Sequence, residues 1–349
     1  MRGLCYKSIL CAAAFLLPNA GIPASFIEVE FANIQGWALD DHAPALEAFQ
    51  RGCDSIRSTS VIPRRDWDRV CALARTGAGP ARAFFEQNFT PVIITTGSKA
   101  LFTGYFEPAL RGSKTRTERF RYPLYTLPPE IEPGQRWNTR AEIENGLLEG
   151  RGLELVWLDN QVDAFFVHVQ GSARISLQDG SLMRVGFAGR NGQRFRSVGR
   201  ELVRLGTLRA SQTSMQGIKD WAAENPDAAT RALQYNPSFI FFRALDLPDD
   251  LGPLGALQVP LTPLRSIAVD PAFTPLGAPV WVRMEAAGNL GLDRLMVAQD
   301  TGSAIKGAQR ADIYYGTGVE AGLEAGKIRY FGEIITLLPN NTAARLRDH

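Results

Sequence analysis

The residues best suited to chemistry lie in one stretch, Gln299-Asp-Thr-Gly-Ser-Ala-Ile-Lys-Gly-Ala-Gln-Arg-Ala-Asp-Ile-Tyr-Tyr-Gly316. It follows the alternating run Leu295-Met-Val-Ala-Gln, which predicts a strand ending at Asp300. Gly302 and Gly307 permit turns that a Cβ would resist. The chain then re-emerges at Asp312 into the strand-like Ile313-Tyr314-Tyr315. Asp300 and Asp312 are thus expected at the mouth of a turn, with Lys306 between them, an arrangement suited to acid/base work. The same pattern also suits a polar hairpin loop with solvated charges, and the residue types leave both readings open.

Three chemistries fit these residues. Asp300-Thr-Gly-Ser is the tetrapeptide of aspartic proteases, but those enzymes share a proton between two such loops. Asp179-Gly-Ser is not a second one. Carbohydrate chemistry with Asp312 as proton donor is the next reading. Ordinary glycosidases use two carboxylates, yet one suffices if the sugar's own hydroxyl is the nucleophile, because the same group can serve as acid and then as base. The third is a polysaccharide-binding barrel in which Asp312 is idle. His168, within Phe165-Phe-Val-His-Val, reads as a packed strand histidine rather than a base. Lys306-Gly307 is not a phosphate-binding loop. Trp137, Trp157, Trp221 and Trp281 are candidates for stacking on sugars, with core packing the default for each. The widely separated His42, His168 and His349 offer no metal-site spacing, so neither metal nor cofactor is expected.

The elements that must position these groups come from 349 residues, enough for two or three domains. A hydrophobic share of 45% and a charged share of 21% supply an ordinary globular core. The first 25 residues read as a secretory signal peptide: a basic start with Arg2 and Lys7, an apolar run from Ser8 to Pro18, then small residues. Leu10 before Cys11 is not the small residue that lipid-modified leaders prefer, which argues against membrane attachment. Removing the leader takes the formal charge from +2 to zero, so nucleic acid is not an expected partner. It also leaves Cys53 and Cys71 as an even pair in an exported chain, predicting a disulfide.

Three short helices are predicted after the entry segment, around Ala43–Gln50, Arg65–Leu73 and Pro80–Asn88. Strand texture begins at Pro91 and includes Leu101–Glu107, whose polar face carries Thr103, Tyr105 and Glu107. A basic, then Pro-rich connection follows, and Thr139 with Glu142 makes a capping-box pattern. Leu153–Leu158, Asp163–Gly171 and Ser181–Gly189 are predicted strands, and Ala188–Ser197 a further hairpin. Helix returns over Ser214–Gln234, broken at Asn225-Pro226, before more strands to Leu338. β texture on both sides of this middle region predicts one domain inserted into another.

Several ordered motifs together resemble the membrane-bound lytic murein transglycosylase A family over nearly all of the expected mature chain. They are Thr103-Gly-Tyr-Phe-Glu-Pro108, Tyr122-Pro-Leu-Tyr125, Thr139-Arg-Ala-Glu-Ile143, His168-Val-Gln-Gly-Ser172 and Phe187-Ala-Gly-Arg-Asn-Gly192, where the family usually shows tyrosine at the position of Phe187. Asn236-Pro-Ser-Phe239, Val259-Pro-Leu-Thr262, Asp300-Thr-Gly-Ser-Ala-Ile-Lys-Gly307 and Ala311-Asp-Ile-Tyr314 complete the series. The resemblance implies a mainly β protein with short helices. A double-psi β-barrel catalytic domain would span 26–105 and 243–339, with a smaller β-barrel inserted at 106–242 and a tail at 340–349.

The resemblance also implies cleavage of the β-1,4 bond between N-acetylmuramic acid and N-acetylglucosamine without water, leaving a 1,6-anhydro end. Asp312 falls at the family's acid/base position, and Asp300 at its second aspartate. Thr103, Tyr105, Tyr122, Gln170, Ser172 and Lys306 become candidate sugar contacts. Lys306 is also expected to oppose the rise in pKa that burial would impose on Asp312, and Glu107 reads as structural. Peptidoglycan glycan strands are the implied partner, with other cell-wall enzymes as further candidates, in the periplasm or cell envelope.

Overall fold

The alternating run before Asp300 becomes one wall of a closed barrel in the computed structural model, which describes residues 24–347 except 60, 78 and 286–291. Most of the expected signal peptide therefore lies outside the described residues. Fourteen strands and ten helices are described, in two compact units. The first unit takes in the chain up to Gly104, Leu254–Tyr314 and the chain from Ile328; the second comprises Tyr105–Pro253 and Tyr315–Lys327.

In chain order the first half holds β1 (Ser25–Glu28), α1 (Ala43–Gly52), α2 (Arg64–Arg75), α3 (Ala81–Asn88), β2 (Phe89–Thr95) and β3 (Ala100–Glu107). Then come β4 (Ala109–Ser113), β5 (Tyr122–Tyr125), α4 (Arg140–Glu142), β6 (Glu154–Leu158), α5 (Gln161–Gln170), β7 (Ser172–Leu177) and β8 (Leu182–Arg190). The second half holds α6 (Val198–Arg204), α7 (Met215–Glu224), α8 (Pro226–Gln234), β9 (Ile240–Leu245), β10 (Ser266–Val269), β11 (Pro279–Glu285) and β12 (Leu292–Thr301). It ends with β13 (Arg310–Thr317), α9 (Val319–Lys327), β14 (Arg329–Pro339) and α10 (Asn340–Arg347).

The first unit is built on the barrel. Neighbouring strands run β14-β11-β12-β10-β13-β3, and β3 returns to pair with β14, so six strands close on themselves. β14 manages this by dividing one edge between two partners: Arg329–Gly332 pairs with β3 and Thr336–Pro339 with β2, while Phe331–Thr336 pairs with β11 on the other edge. Gly332 is paired on both edges, and an added Cβ there would fall 2.0 Å from the Arg283 carbonyl oxygen. Only glycine fits that approach.

Helices α1, α2 and α3 pack on this sheet through Phe49, Trp67, Phe84 and Phe85, which meet Trp37, Phe89 and Trp281 in one apolar core. Pro44 stands in the first turn of α1 and Asp66 in the first turn of α2, where each is favourable. Cys53, just past α1, is joined to Cys71 in α2 with Cα atoms 5.7 Å apart. Residues 340–347, read from the sequence as tail, form α10, held by Thr342 and Arg345 donating to the buried Asp66 carboxylate.

The second unit centres on a six-stranded sheet in the order β5-β6-β4-β7-β8-β9. Two elements here differ from the sequence reading. Asp163–Gln170, predicted as strand, lies in α5. The Asn160 side chain accepts the Val162 and Asp163 amides at 2.9 and 3.0 Å, and Gly171 (φ 82°) ends the helix. Val162 and Phe165 face one apolar cluster while Ala164 and Val167 face another. A helix buried on two sides shows no polar stripe, so its periodicity is hidden. The hairpin predicted over Ala188–Ser197 is absent too: β8 runs on to Arg190, and the chain proceeds irregularly to α6. The fully buried Asn191 explains this, since its side chain bridges the Asn138 and Pro237 carbonyls and the Phe239 amide instead of making a turn.

The capping box does form: the Thr139 amide donates to Glu142 Oε2 at 2.7 Å, and the Thr139 hydroxyl accepts the Glu142 amide. The adjoining Arg140 is buried between the rings of Phe165 and Phe239, each 4.9 Å from its guanidinium carbon. The Cys53–Cys71 link spans 18 residues of sequence, a closure worth about 3 kcal/mol by loop entropy. Cys53→Ser/Cys71→Ser is therefore expected to lose roughly that much stability in urea unfolding, and reducing agent to destabilise the wild type but not the double variant.

Candidate active site

Asp312 owes its place to β10. This strand pairs antiparallel with β13, Ala268 opposite Asp312, and parallel with β12, Ala268 opposite Asp300. The two aspartates therefore share a level on the barrel with one strand between them. Two inter-strand steps separate their backbones by about 10 Å. Ala311 and Ile313 are fully buried, so alternation turns Asp312 to the other face of β13. The start of that strand is pinned by Gln309, whose side chain donates to the Ile94 and Ile334 carbonyls and accepts the Ile334 amide.

Thr103 of β3 donates its hydroxyl to Asp312 Oδ1 at 2.5 Å. Arg310 in turn donates to the Thr103 oxygen at 2.7 Å, and to the carbonyls of Leu101 and Ala311. Asp312 keeps a partly exposed face, yet the protein around it is dense enough for desolvation to dominate. Burial raises its pKa above the ordinary 3.8, outweighing the Thr103 hydrogen bond and the Arg310 charge, which both act to lower it. Arg310 is itself pushed down by burial, against the attraction of Asp312.

The expected counter-charge was Lys306. Instead Lys306 Nζ lies 3.7 Å from Asp270 Oδ1, and the cation acting on Asp312 is Arg310. Its place in the turn explains this: Gly307, at φ 110°, swings the loop so that its own amide donates to Asp270 Oδ2 at 2.9 Å, carrying Lys306 to that carboxylate. Asp270 and Arg310 were both missed by residue-level reasoning. Asp270 could have been found from the Asp-Pro step ending an apolar run; Arg310 is two residues from Asp312, which on a strand means the same face.

Asp300 Oδ1 accepts the amides of Ala256 and Thr301, both at 2.9 Å. Those bonds tie β12 to the 254–258 turn, whose Leu257 amide also donates to the Gln299 carbonyl. This is the geometry of a loop anchor, and neither its spacing from Asp312 nor its partners suit a proton shared as in an aspartic protease.

The remaining candidate sugar contacts lie in the second unit. Tyr105 is buried, and Tyr122 is half-buried with its hydroxyl accepting from Arg121 at 3.3 Å. Gln170 Oε1 accepts the Phe106 amide at 3.1 Å, and Ser172, buried, opens β7 opposite Gly186. Glu107 is fully buried and accepts from Arg174, Arg184 and the Thr317 hydroxyl. Those arginines also hold the Pro248, Asp249 and Leu251 carbonyls. Glu107 is thus the hub of a buried ionic cluster, consistent with a structural reading. His168 Nδ1 accepts the Ile240 amide between Phe239 and Phe242, and burial pushes its pKa well below 6.5. It stays neutral and packed, on a helix rather than a strand. Trp281 is core against Trp37, and Trp137 packs on Phe241. Among the described residues no group of three His, Cys, Asp or Glu side chains is placed to hold a metal, and no helix is long and apolar enough to cross a membrane.

On this closed barrel Asp312 is raised in pKa by burial while Asp300 is tied into a loop, so the two do not form the shared pair of a two-aspartate protease. Comparison with known proteins agrees. A family model described as "MltA specific insert domain" matches residues 101–243, and one described as "3D domain" matches 265–338. The chain is 36% identical over 243 residues to membrane-bound lytic murein transglycosylase A of Vibrio cholerae. That match spans 67% of this chain and 64% of the relative's length. A membrane-bound lytic murein transglycosylase structure from Agrobacterium tumefaciens superposes with a TM-score of 0.84 at 34% identity, covering 92% of this chain and 99% of that one. Escherichia coli MltA with bound chitohexaose gives a TM-score of 0.66 at 28% identity, covering 94% and 96%. The chain belongs to the membrane-bound lytic murein transglycosylase A family.

Two outcomes follow from the charges. Asp312→Asn is a neutral isostere of a group whose ionised form the fold disfavours. The variant is expected to match the wild type below about pH 4, where the carboxyl is protonated folded and unfolded. As pH rises and the unfolded wild type ionises first, the variant becomes the more stable, and thermal melts from pH 3 to 8 read the difference. Glu107→Gln leaves Arg174 and Arg184 uncompensated and is expected to cost about 3–5 kcal/mol in chemical denaturation.

Proposed function

We propose that this chain is a peptidoglycan lytic transglycosylase that cleaves the β-1,4 bond between N-acetylmuramic acid and N-acetylglucosamine and leaves a 1,6-anhydro end. Asp312 acts first as acid and then as base. The observation that carries the reading is the Asp312 environment: a carboxyl partly open on one face, raised in pKa by burial, and hydrogen-bonded to Thr103. The names of the relatives support the substrate class, and the hexasaccharide bound to E. coli MltA supports a site for several linked sugars.

The chemistry needs no second carboxylate. Protonated Asp312 donates to the glycosidic oxygen as the C1–O4 bond breaks, and the N-acetylglucosamine hydroxyl leaves. The resulting carboxylate takes the proton of the muramic C6 hydroxyl while O6 bonds to C1. The proton count closes and no water is consumed. Raised pKa favours the first step, and the Thr103 bond stabilises the carboxylate needed for the second. Thr103 therefore orients the acid, Asp300 secures the loop beside it, and Glu107 is excluded as a partner acid by its two arginines. Tyr105, Tyr122, Gln170, Ser172 and Lys306 remain the proposed sugar contacts. The leader read from the sequence would deliver the protein to the periplasm or cell envelope, where peptidoglycan lies.

Purified peptidoglycan digested by wild type is expected to yield anhydro-muropeptides by mass spectrometry. Asp312→Asn should lower turnover by roughly 10²–10⁴-fold, the usual worth of a positioned acid/base. Reducing ends in place of anhydro ends would make the protein a hydrolase. Bound glycan without any product would make it a binding module.

A further inference from the structure

We propose that Arg310 is a positioning residue that acts through Thr103 to keep the transferable proton of Asp312 on Oδ2. The inference rests on the acid/base reading above and assigns a role to a side chain that reading does not use.

The number of protons available fixes the direction of these bonds. Arginine can only donate, so the Thr103 oxygen must accept from Arg310 Nη2 across their 2.7 Å contact. Thr103 has one proton of its own, and Asp312 Oδ1, at 2.5 Å, is its acceptor. Were Oδ1 protonated and donating to Thr103, the threonine proton would lose its 2.5 Å carboxylate acceptor and have to turn to solvent, while Arg310 still donated to the same oxygen. The chain of donors thus runs one way, from Arg310 through Thr103 to Oδ1, and the acid proton is left on Oδ2. Arg310 is braced for this task. Its Nη1 donates to the carbonyls of Leu101 and Ala311, one on each of the strands that Thr103 and Asp312 occupy. A guanidinium held by both strands cannot turn away without giving up those bonds.

The direction matters for both halves of the reaction. An acid whose proton alternates between two oxygens presents it to the leaving group only part of the time. Once the proton has gone, the Thr103 bond becomes charge-assisted and strengthens, with Arg310 polarising its donor. The charged groups around this pair are few. Arg329 of β14 is the register partner of Thr103 and adds a second positive charge near Arg310. From β10 the level partner is the uncharged Ala268, and Asp270 beyond it faces Lys306.

The decisive measurement is the titration of the Asp312 carboxyl carbon by NMR in the full-length chain, assigned with Asp312→Asn. It is made for wild type, Arg310→Gln, Thr103→Val and Thr103→Ser. The pKa is expected to rise in Arg310→Gln and Thr103→Val and to stay at the wild-type value in Thr103→Ser, which keeps the hydroxyl. Arg310→Gln combined with Thr103→Val should shift the pKa by less than the sum of the two single shifts, the remainder being the direct effect of the Arg310 charge. On peptidoglycan, Thr103→Val should lose roughly 10–100-fold in kcat, the worth of a hydrogen bond to a charged group, with KM little changed. An Asp312 titration unmoved by Arg310→Gln, or fully additive shifts in the double variant, overturns the proposal. Should Arg310→Gln fail to fold, Thr103→Val decides alone: an unmoved Asp312 pKa removes the relay. The titration is independent of turnover, so a wild type inactive on peptidoglycan would sink the proposed reaction while this measurement still judged the relay.

Discussion

The register of β10 is the constraint on which the site depends. A four-residue strand, Ser266–Val269, is hydrogen-bonded on one side to the strand bearing Asp300 and on the other to the strand bearing Asp312. A slip of one residue against β13 would turn Asp312 into the barrel and Ala311 or Ile313 out of it. The cost would be a carboxylate among apolar side chains and two exposed hydrophobes, so the register is held by the burial of Ala311 and Ile313 on the face opposite Asp312. Asp270, directly after β10, extends the control by fastening the Gly307 turn, which fixes where β13 begins.

How much of this was legible in the sequence depends on whether the determining force is local. The capping box at Thr139, the helices α1 to α3 and the break at Asn225-Pro226 follow from local rules, and the chain obeys them. The alternation around Leu295 and Ile313 marked the two strands that carry the aspartates. Helix α5 was illegible because its two buried faces erase the polar stripe, and its β-branched and aromatic residues mimic a strand. At the site, proximity in sequence misled. Lys306 lies between the aspartates in the chain but is carried to Asp270 by a single glycine turn, whereas Arg310 reaches Asp312 through a threonine more than 200 residues away.

The second unit buries charge in complete clusters. Its interior admits Glu107 with Arg174 and Arg184, and Arg140 between two phenyl rings with Glu144 as its acid. Such ions cost free energy to bury and favour a unique arrangement only when every partner is present. Here the arginines also hold backbone carbonyls of the 248–251 segment, so the chain leaving the sheet is fixed by side chains rather than by strand pairing. Asp312 has the Arg310 charge acting on it, and burial still raises its pKa.

The changes of partner along β14 also govern when the molecule becomes competent. β3 is made early, but residues 100–103 are held at one edge by residues 329–332, more than 200 positions later. Contacts of such long range close last and slowly, because the intervening loop entropy must be overcome before they contribute. Until the final strand is in place the barrel is an open sheet, Thr103 has no fixed position, and Asp312 lacks its donor. A chain wired in this way assembles the Thr103–Asp312 contact only with completion of the fold.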